Sequence, residues 1–154
     1  MRGTSSVARL ASHATGVGVA DDLRWTIDTA PLLAYLAGSP QVLPRRARRA
    51  VEAARTGRGR IGVCTVCLFE VALLVERRRV TLGQSFDDWC DLLEQTPGLG
   101  LLPLDRAHVS EARALPLLRD PFDRLIAGTA VALGLPLITP DTRIAGAGRL
   151  KVVW

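Results

Sequence analysis

The chain is short of most residues on which covalent and nitrogen-ligand chemistry is built. Its 154 residues hold one lysine, Lys151, two histidines, His13 and His108, and three cysteines, Cys64, Cys67 and Cys90. A single lysine leaves the rest of the chain without an amine for Schiff-base chemistry, and no phosphate-cradling G-x4-G-K-S/T loop is present. Two histidines so far apart do not make a zinc pair. Three cysteines among apolar neighbours are too few for a disulfide framework, so a reducing cytoplasm is the expected compartment. Cys64 and Cys67 do form a CxxC, which reads more economically as buried packing than as a redox pair. Aromatic residues are only 5%, and Trp25, Trp89 and Trp154 are too dispersed for a stacking platform. No apolar run is long enough to cross a bilayer. The first residues, MRGTSSVARLASHATGVGVA, lack the apolar stretch of a signal peptide, so residues 1–22 are expected to be a flexible extension before one domain at 23–154.

What the chain does have is aliphatic bulk and arginine. Hydrophobic residues make up 48%, enough for one compact core, and 20 basic against 15 acidic residues give a net charge of +5, which favours a polyanionic partner. Leu23 to Ile27 reads as a strand, with Thr29 as cap and Pro31 in the first turn of the helix that follows. An Arg-rich helix spans about Leu43 to Thr56 and precedes a strand at Ile61 to Cys64. Thr65 is expected to cap the apolar helix VCLFEVALLVERRR, and Ser85 with Asp88 to open FDDWCDLLEQ. Leu101 to Leu104 is the third strand expected. Asp120-Pro121 starts a helix that stops at Gly134, and Leu137 to Thr139 and Leu150 to Val153 complete the strands. Strands alternating with helices predict an α/β domain with a central, mostly parallel sheet of four or five strands flanked by helices.

The acids then form a pattern. Asp28 and Asp141 follow strands, whereas Glu70 and Asp123 lie early in helices that leave the same edge of the sheet, the edge where open α/β sheets bind ligands. Taken singly, Asp28 and Asp141 are ordinary turn residues, and Asp120 and Asp123 an ordinary N-cap and third-position acid. Glu70 is harder to dismiss, because it sits between Phe69 and Val71 with Leu73 and Leu74 one turn on. Four carboxylates in one cleft repel one another unless a cation intervenes, and an all-oxygen set favours Mg²⁺ or Mn²⁺. Such an ion lowers the pKa of a bound water and neutralises charge on a departing oxygen, which is the chemistry of phosphodiester hydrolysis. Arg45, Arg48 and Arg49, with Arg55 and Arg77 to Arg79, are a basic supply for RNA phosphates, or simply solvated faces.

IDTAPLLAYL around Asp28, TVCLFEVALLVERRRV around Glu70, RDPFDRLIAGTAVALGLPLITPD around Asp123 and Asp141, and the closing LKVVW together resemble the PIN-domain nucleases, specifically the VapC-type toxins of toxin-antitoxin pairs. The resemblance covers about residues 24 to 154. It implies a PIN-like three-layer fold and a Mg²⁺- or Mn²⁺-dependent endoribonuclease, usually a homodimer, restrained by a cognate antitoxin. It also implies that Asp28, Glu70 and Asp123 are core metal ligands, that Asp141 is a fourth, more variable one, and that Thr29 supplies a hydroxyl beside the first acid. Asp120 is included as an outer residue. The chain departs from the pattern at Cys64 and Cys67, where serines are frequent, and at Ala30-Pro31. Two other readings stand beside this one: a nonenzymatic RNA- or partner-binding module with a weakened site, and a phosphohydrolase using Asp28 as nucleophile. The latter would favour an acid where Ala30 stands and a supporting lysine.

Overall fold

The computed structural model describes residues 22–154, so the expected extension, apart from Asp22, lies outside the described residues. Five strands form one sheet: β1 (Leu23–Ile27), β2 (Arg60–Cys64), β3 (Leu99–Leu102), β4 (Leu137–Ile138) and β5 (Val152–Val153). Their order is β3-β2-β1-β4-β5, and every neighbouring pair is parallel. The helices are α1 (Thr29–Leu36), α2 (Arg45–Arg55), α3 (Val66–Glu76), α4 (Phe86–Gln95), α5 (Arg106–Arg113), α6 (Pro121–Leu133) and α7 (Thr142–Gly146), with a 3-10 turn at Pro40–Val42. The sequence-based expectation of a helix-flanked parallel sheet is met.

The strand order fixes where a ligand can sit. From β1 the chain builds outward through β2 to β3, then returns to place β4 on the other side of β1 and β5 beyond it. The connections leaving β1 and β4 therefore diverge, and a crevice opens at the C-terminal ends of these two strands. Asp28 follows β1, and Thr139 and Asp141 follow β4.

Aliphatic side chains hold the layers together, as the scarcity of aromatics demands. Ile27, Ile61, Val63, Leu137 and Ile138 from the sheet, and Leu32, Val51, Val71, Leu93, Ile126 and Ile144 from helices, are almost wholly buried in one cluster. No helix among the described residues is long and apolar enough to cross a membrane.

Several local expectations need correction. The cap of α1 is Asp28, whose carboxylate accepts the Thr29 N–H, and not Thr29. Thr65 has helical backbone angles and makes no cap; its hydroxyl instead accepts the Leu104 N–H and ties down the exit from β3. β3 starts two residues before the expected Leu101. The turn is already complete at Gly98, where φ is +84° and a Cβ would lie 2.4 Å from the Ala54 carbonyl oxygen, and Gly100 pairs with Gly62 inside the ladder. The one-turn helix α7, which Asp141 caps, is not among the expected elements. Ser85 does accept the Asp88 N–H at the start of α4, as expected.

Gly128 decides how closely α5 and α6 approach. A Cβ there would lie 2.6 Å from the Ala112 nitrogen and 2.7 Å from the His108 oxygen, both backbone atoms that cannot turn aside. Alanine gains about 1 kcal/mol over glycine in a helix interior, but overpacking against backbone costs about 1–3 kcal/mol, so Gly128→Ala is expected to lose stability on balance. Gly134, which closes α6 at φ +64° with open space around it, is expected to cost roughly 1 kcal/mol on change to Ala from backbone conformation alone. Urea unfolding midpoints of the two variants test this; a Gly128→Ala protein as stable as the parent would show that the helices can separate freely.

Candidate active site

Asp28 is the fixed point of the crevice. It is buried, its N–H donates to the Ile138 carbonyl at 3.0 Å, and both carboxylate oxygens are engaged. Oδ1 accepts the Thr29 N–H at 2.7 Å, and Oδ2 accepts the Thr139 hydroxyl, also at 2.7 Å. The Thr139 oxygen in turn accepts the Asp141 N–H at 3.0 Å, so one fully buried threonine links the acid after β1 to the acid after β4. Thr29 makes a second link: its hydroxyl donates to Glu70 Oε2 on α3. Asp123 is the third residue of α6, whose cap, Asp120, accepts the N–H groups of Phe122 and Asp123.

The carboxylates share one field. Burial raises the pKa of Asp28, and Asp141 and Asp120 push it in the same direction, while the bonds from Thr139 and Thr29 oppose the rise. Glu70 is likewise raised by burial, with Thr29 opposing and Asp28 and Asp120 adding to the effect. Asp123 is raised to about 6, first by burial and then by Asp120, Asp28 and Asp141. Asp141 moves the other way, because the Arg143 guanidinium holds it below the ordinary range. The sequence-predicted acids thus line the same crevice, linked through Thr29, Thr139 and Arg143, and Asp120 acts both as a helix cap and as a contributor of negative potential.

Arg143 was missed by sequence reasoning. Its Nη2 lies 2.6 Å from Asp141 Oδ2 and 3.1 Å from Asp123 Oδ2, and its Nε 3.0 Å from Asp141 Oδ1. The available signal was its place two residues after a helix-capping acid. Thr139 was noted only as a strand end, although its position two residues before Asp141 suits the bond it makes. Arg45, Arg48 and Arg49 lie exposed on α2, and no hydrogen bond or ion pair among the described residues joins them to the acids. Phe69, preceding Glu70, and Phe122, preceding Asp123, face each other with ring centroids 6.1 Å apart.

The donor set suits a hard divalent cation: the side chains are oxygen donors, and three of the four are held above their ordinary pKa, first by burial and then by neighbouring carboxylates. They are not drawn into a closed cage. Among the described residues no three His, Cys, Asp or Glu side chains already stand close enough to ligate one ion, and the cation on Asp123 and Asp141 is Arg143. His108 does not contribute, since it is buried with its Nδ1 accepting the Asp105 N–H; His13 lies outside the described residues. Cys64 and Cys67 are buried and unbridged, and burial pushes the Cys67 thiol well above its usual range, as suits packing and not redox exchange.

An acid cluster at the switch point of a β3-β2-β1-β4-β5 parallel sheet defines a small α/β domain with carboxylates at its ligand-binding edge. The chain belongs to the PIN-domain family, whose model, PIN domain, matches residues 26–150. Ribonuclease VapC22 of Mycobacterium tuberculosis is 33% identical over 113 residues, covering 71% of this chain and 82% of that protein. The fold is similar to VapBC2 from Rickettsia felis bound to a DNA fragment from its promoter (TM-score 0.62, 14% identity, 84% of this chain and 97% of that one). It is also similar to DNA-bound VapBC from Salmonella typhimurium (TM-score 0.59, 19% identity, 84% and 96%).

The shared field sets a pH dependence for the metal-free protein. A carboxyl whose folded pKa is raised favours folding fully below its unfolded value and loses that contribution as pH climbs through the folded value. For Asp123 the window runs from the ordinary 3.8 to about 6. Asp28 and Glu70 act in the same direction; Asp141, with a lowered pKa, loses its contribution only at more acid pH. Metal-free protein is therefore expected to lose stability as pH rises from about 4 to about 6, and Asp123→Asn to flatten that slope. Urea midpoints across the range in chelator check it, and an unchanged slope would mean that Asp123 does not carry the strain.

Proposed function

We propose that this chain is an endoribonuclease that hydrolyses RNA phosphodiester bonds with Mg²⁺ or Mn²⁺ held by Asp28, Glu70, Asp123 and Asp141, and that it is the toxin of a VapBC-type toxin-antitoxin pair. The observation that carries this reading is a hydrogen-bonded linkage at the switch point of a PIN-domain sheet: Thr29 joins Asp28 to Glu70, Thr139 joins Asp28 to Asp141, and Arg143 joins Asp141 to Asp123. The likeness to Ribonuclease VapC22 supports the substrate class.

When bound, the cation would supply an acidified water and charge neutralisation at the phosphate. The chain's own residues do the positioning. Thr139 and the Thr29 N–H aim both oxygens of Asp28, and the Thr29 hydroxyl turns Glu70 toward the same space. The first turn of α6 fixes Asp123. The proton lost by the attacking water passes to one of these carboxylates. Asp120 stays at the rim as a helix cap. Arg45, Arg48 and Arg49 on α2 are read as a weaker RNA contact that acts through long-range charge.

The remaining partners follow from surfaces. α3 is apolar around much of its circumference, with Phe69 60% exposed, which supports packing against a second copy of the chain in a homodimer. A reducing cytoplasm suits three unbridged cysteines. One observation favours a second reading, a nonenzymatic RNA- or partner-binding module: the open spacing of the acids, with Arg143 seated between two of them.

Cleavage of labelled total RNA in Mg²⁺, Mn²⁺ or chelator, beside an Asp28→Asn protein with native circular dichroism, separates the two. Asparagine keeps the helix cap but halves the oxygen donors, so cutting is expected to fall by at least about a hundredfold and to vanish in chelator. Binding of RNA without metal-dependent cutting would favour the module instead.

A further inference from the structure

Arg143 occupies the second position of α7, the five-residue helix capped by Asp141. It makes a two-pronged contact with Asp141 and a single one with Asp123, yet its side chain is 69% exposed. Packing contributes little to holding it there; opposite charge does the work. Asp28 and Glu70, by contrast, are held by the hydroxyls of Thr139 and Thr29, neutral donors that set no positive charge against an incoming ion.

A divalent cation of the Mg²⁺ type needs about six oxygens at roughly 2.1 Å, several of them from carboxylates. Asp123 Oδ2 and both oxygens of Asp141 now accept from the guanidinium. An ion that uses these oxygens competes with the guanidinium for the same lone pairs and is repelled by its charge at close range. We propose that Arg143 is the exchangeable counter-ion of the acid cluster: it pairs Asp123 with Asp141 while the cation is away, and a divalent cation enters by displacing it from Asp123. The inference rests on the reading of the cluster as a divalent-cation site. Its consequence is that Asp123 and Asp141 are never left facing one another without positive charge, and that the affinity for metal is lower than the four carboxylates alone would give.

The test is Mn²⁺ binding by isothermal titration to the intact chain and to Arg143→Gln, Arg143→Lys and Arg119→Gln proteins. Arg119 is exposed beside the cap Asp120, so its loss removes the same charge from the neighbourhood without touching the Asp123–Asp141 pair. With an exposed two-acid contact removed, Arg143→Gln is expected to bind Mn²⁺ about three- to tenfold tighter. Arg143→Lys should fall between it and the parent, and Arg119→Gln should match the parent. A second readout is thermal: in chelator the Arg143→Gln protein melts below the parent, and Mn²⁺ restores it. Equal affinity in Arg143→Gln and parent, or equal tightening in Arg119→Gln, overturns the inference. Absence of Mn²⁺ binding to the parent removes the metal reading and this inference with it. Tighter binding without any RNA cleavage removes only the nuclease.

Discussion

The constraint on which the rest of the crevice depends is the burial of a carboxylate, Asp28, at the end of the central strand. A buried ionised group costs several kcal/mol unless its oxygens are filled, and both are: one by the first N–H of α1, the other by Thr139 across the β1–β4 junction. The same Thr139 accepts the Asp141 N–H, so satisfying the first acid fixes the backbone that carries the last one. The parallel pairing of Thr26 and Ile27 with Leu137 and Ile138 brings those two strand ends level. Without that register, Asp28 would be buried without its hydroxyl donor, and the crevice would not form as described.

Helix starts supply much of the remaining compensation. Asp28 caps α1, Asp141 caps α7, and Asp123 stands in the first turn of α6 behind the cap Asp120. Unpaired N–H groups and the positive end of the helix dipole favour negative charge at each of these positions. Glu70 differs, because it lies in the second turn of an apolar helix and depends on the Thr29 hydroxyl. The residue beside the first acid is thereby the partner of the second. What these local devices leave uncompensated is mutual repulsion, visible in the raised Asp123 and in the seat that Arg143 takes.

The parts of this arrangement legible in the sequence were those dictated by neighbours in the chain. Alternating apolar segments and their breakers placed β1 and α4 where they occur, and Asp120-Pro121 announced the start of α6. Asp28 and Asp141 stood out because they follow strands, and Glu70 because it interrupts an apolar helix. What stayed illegible depends on contacts across the fold. Thr65 has the composition of a cap, but its hydroxyl is claimed by Leu104, 39 residues on. β3 begins before the expected Leu101 because Gly100 pairs with Gly62 on the adjacent strand. Thr139 and Arg143 are unremarkable as letters, and only the meeting of β4 with β1, and of α7 with α6, gives them their partners.

The charge distribution at two ranges explains how a chain with a net charge of +5 can carry an acidic crevice and still receive a polyanion. Out to about the Debye length of roughly 8 Å, beyond which acids and arginines are screened alike, the net positive charge favours the approach of a phosphate backbone. Within a few ångström the relation reverses, because four carboxylates with Asp120 at the rim face the incoming phosphate and repel it. Cation and phosphate must then favour each other's binding: the ion cancels the local repulsion, and the phosphate adds negative ligands for the ion. Thermodynamic reciprocity requires the two effects to be equal. On the proposed reading, RNA would be drawn to the surface without metal, but a phosphate would be admitted to the crevice only with one, which would tie the hydrolytic step to the cation.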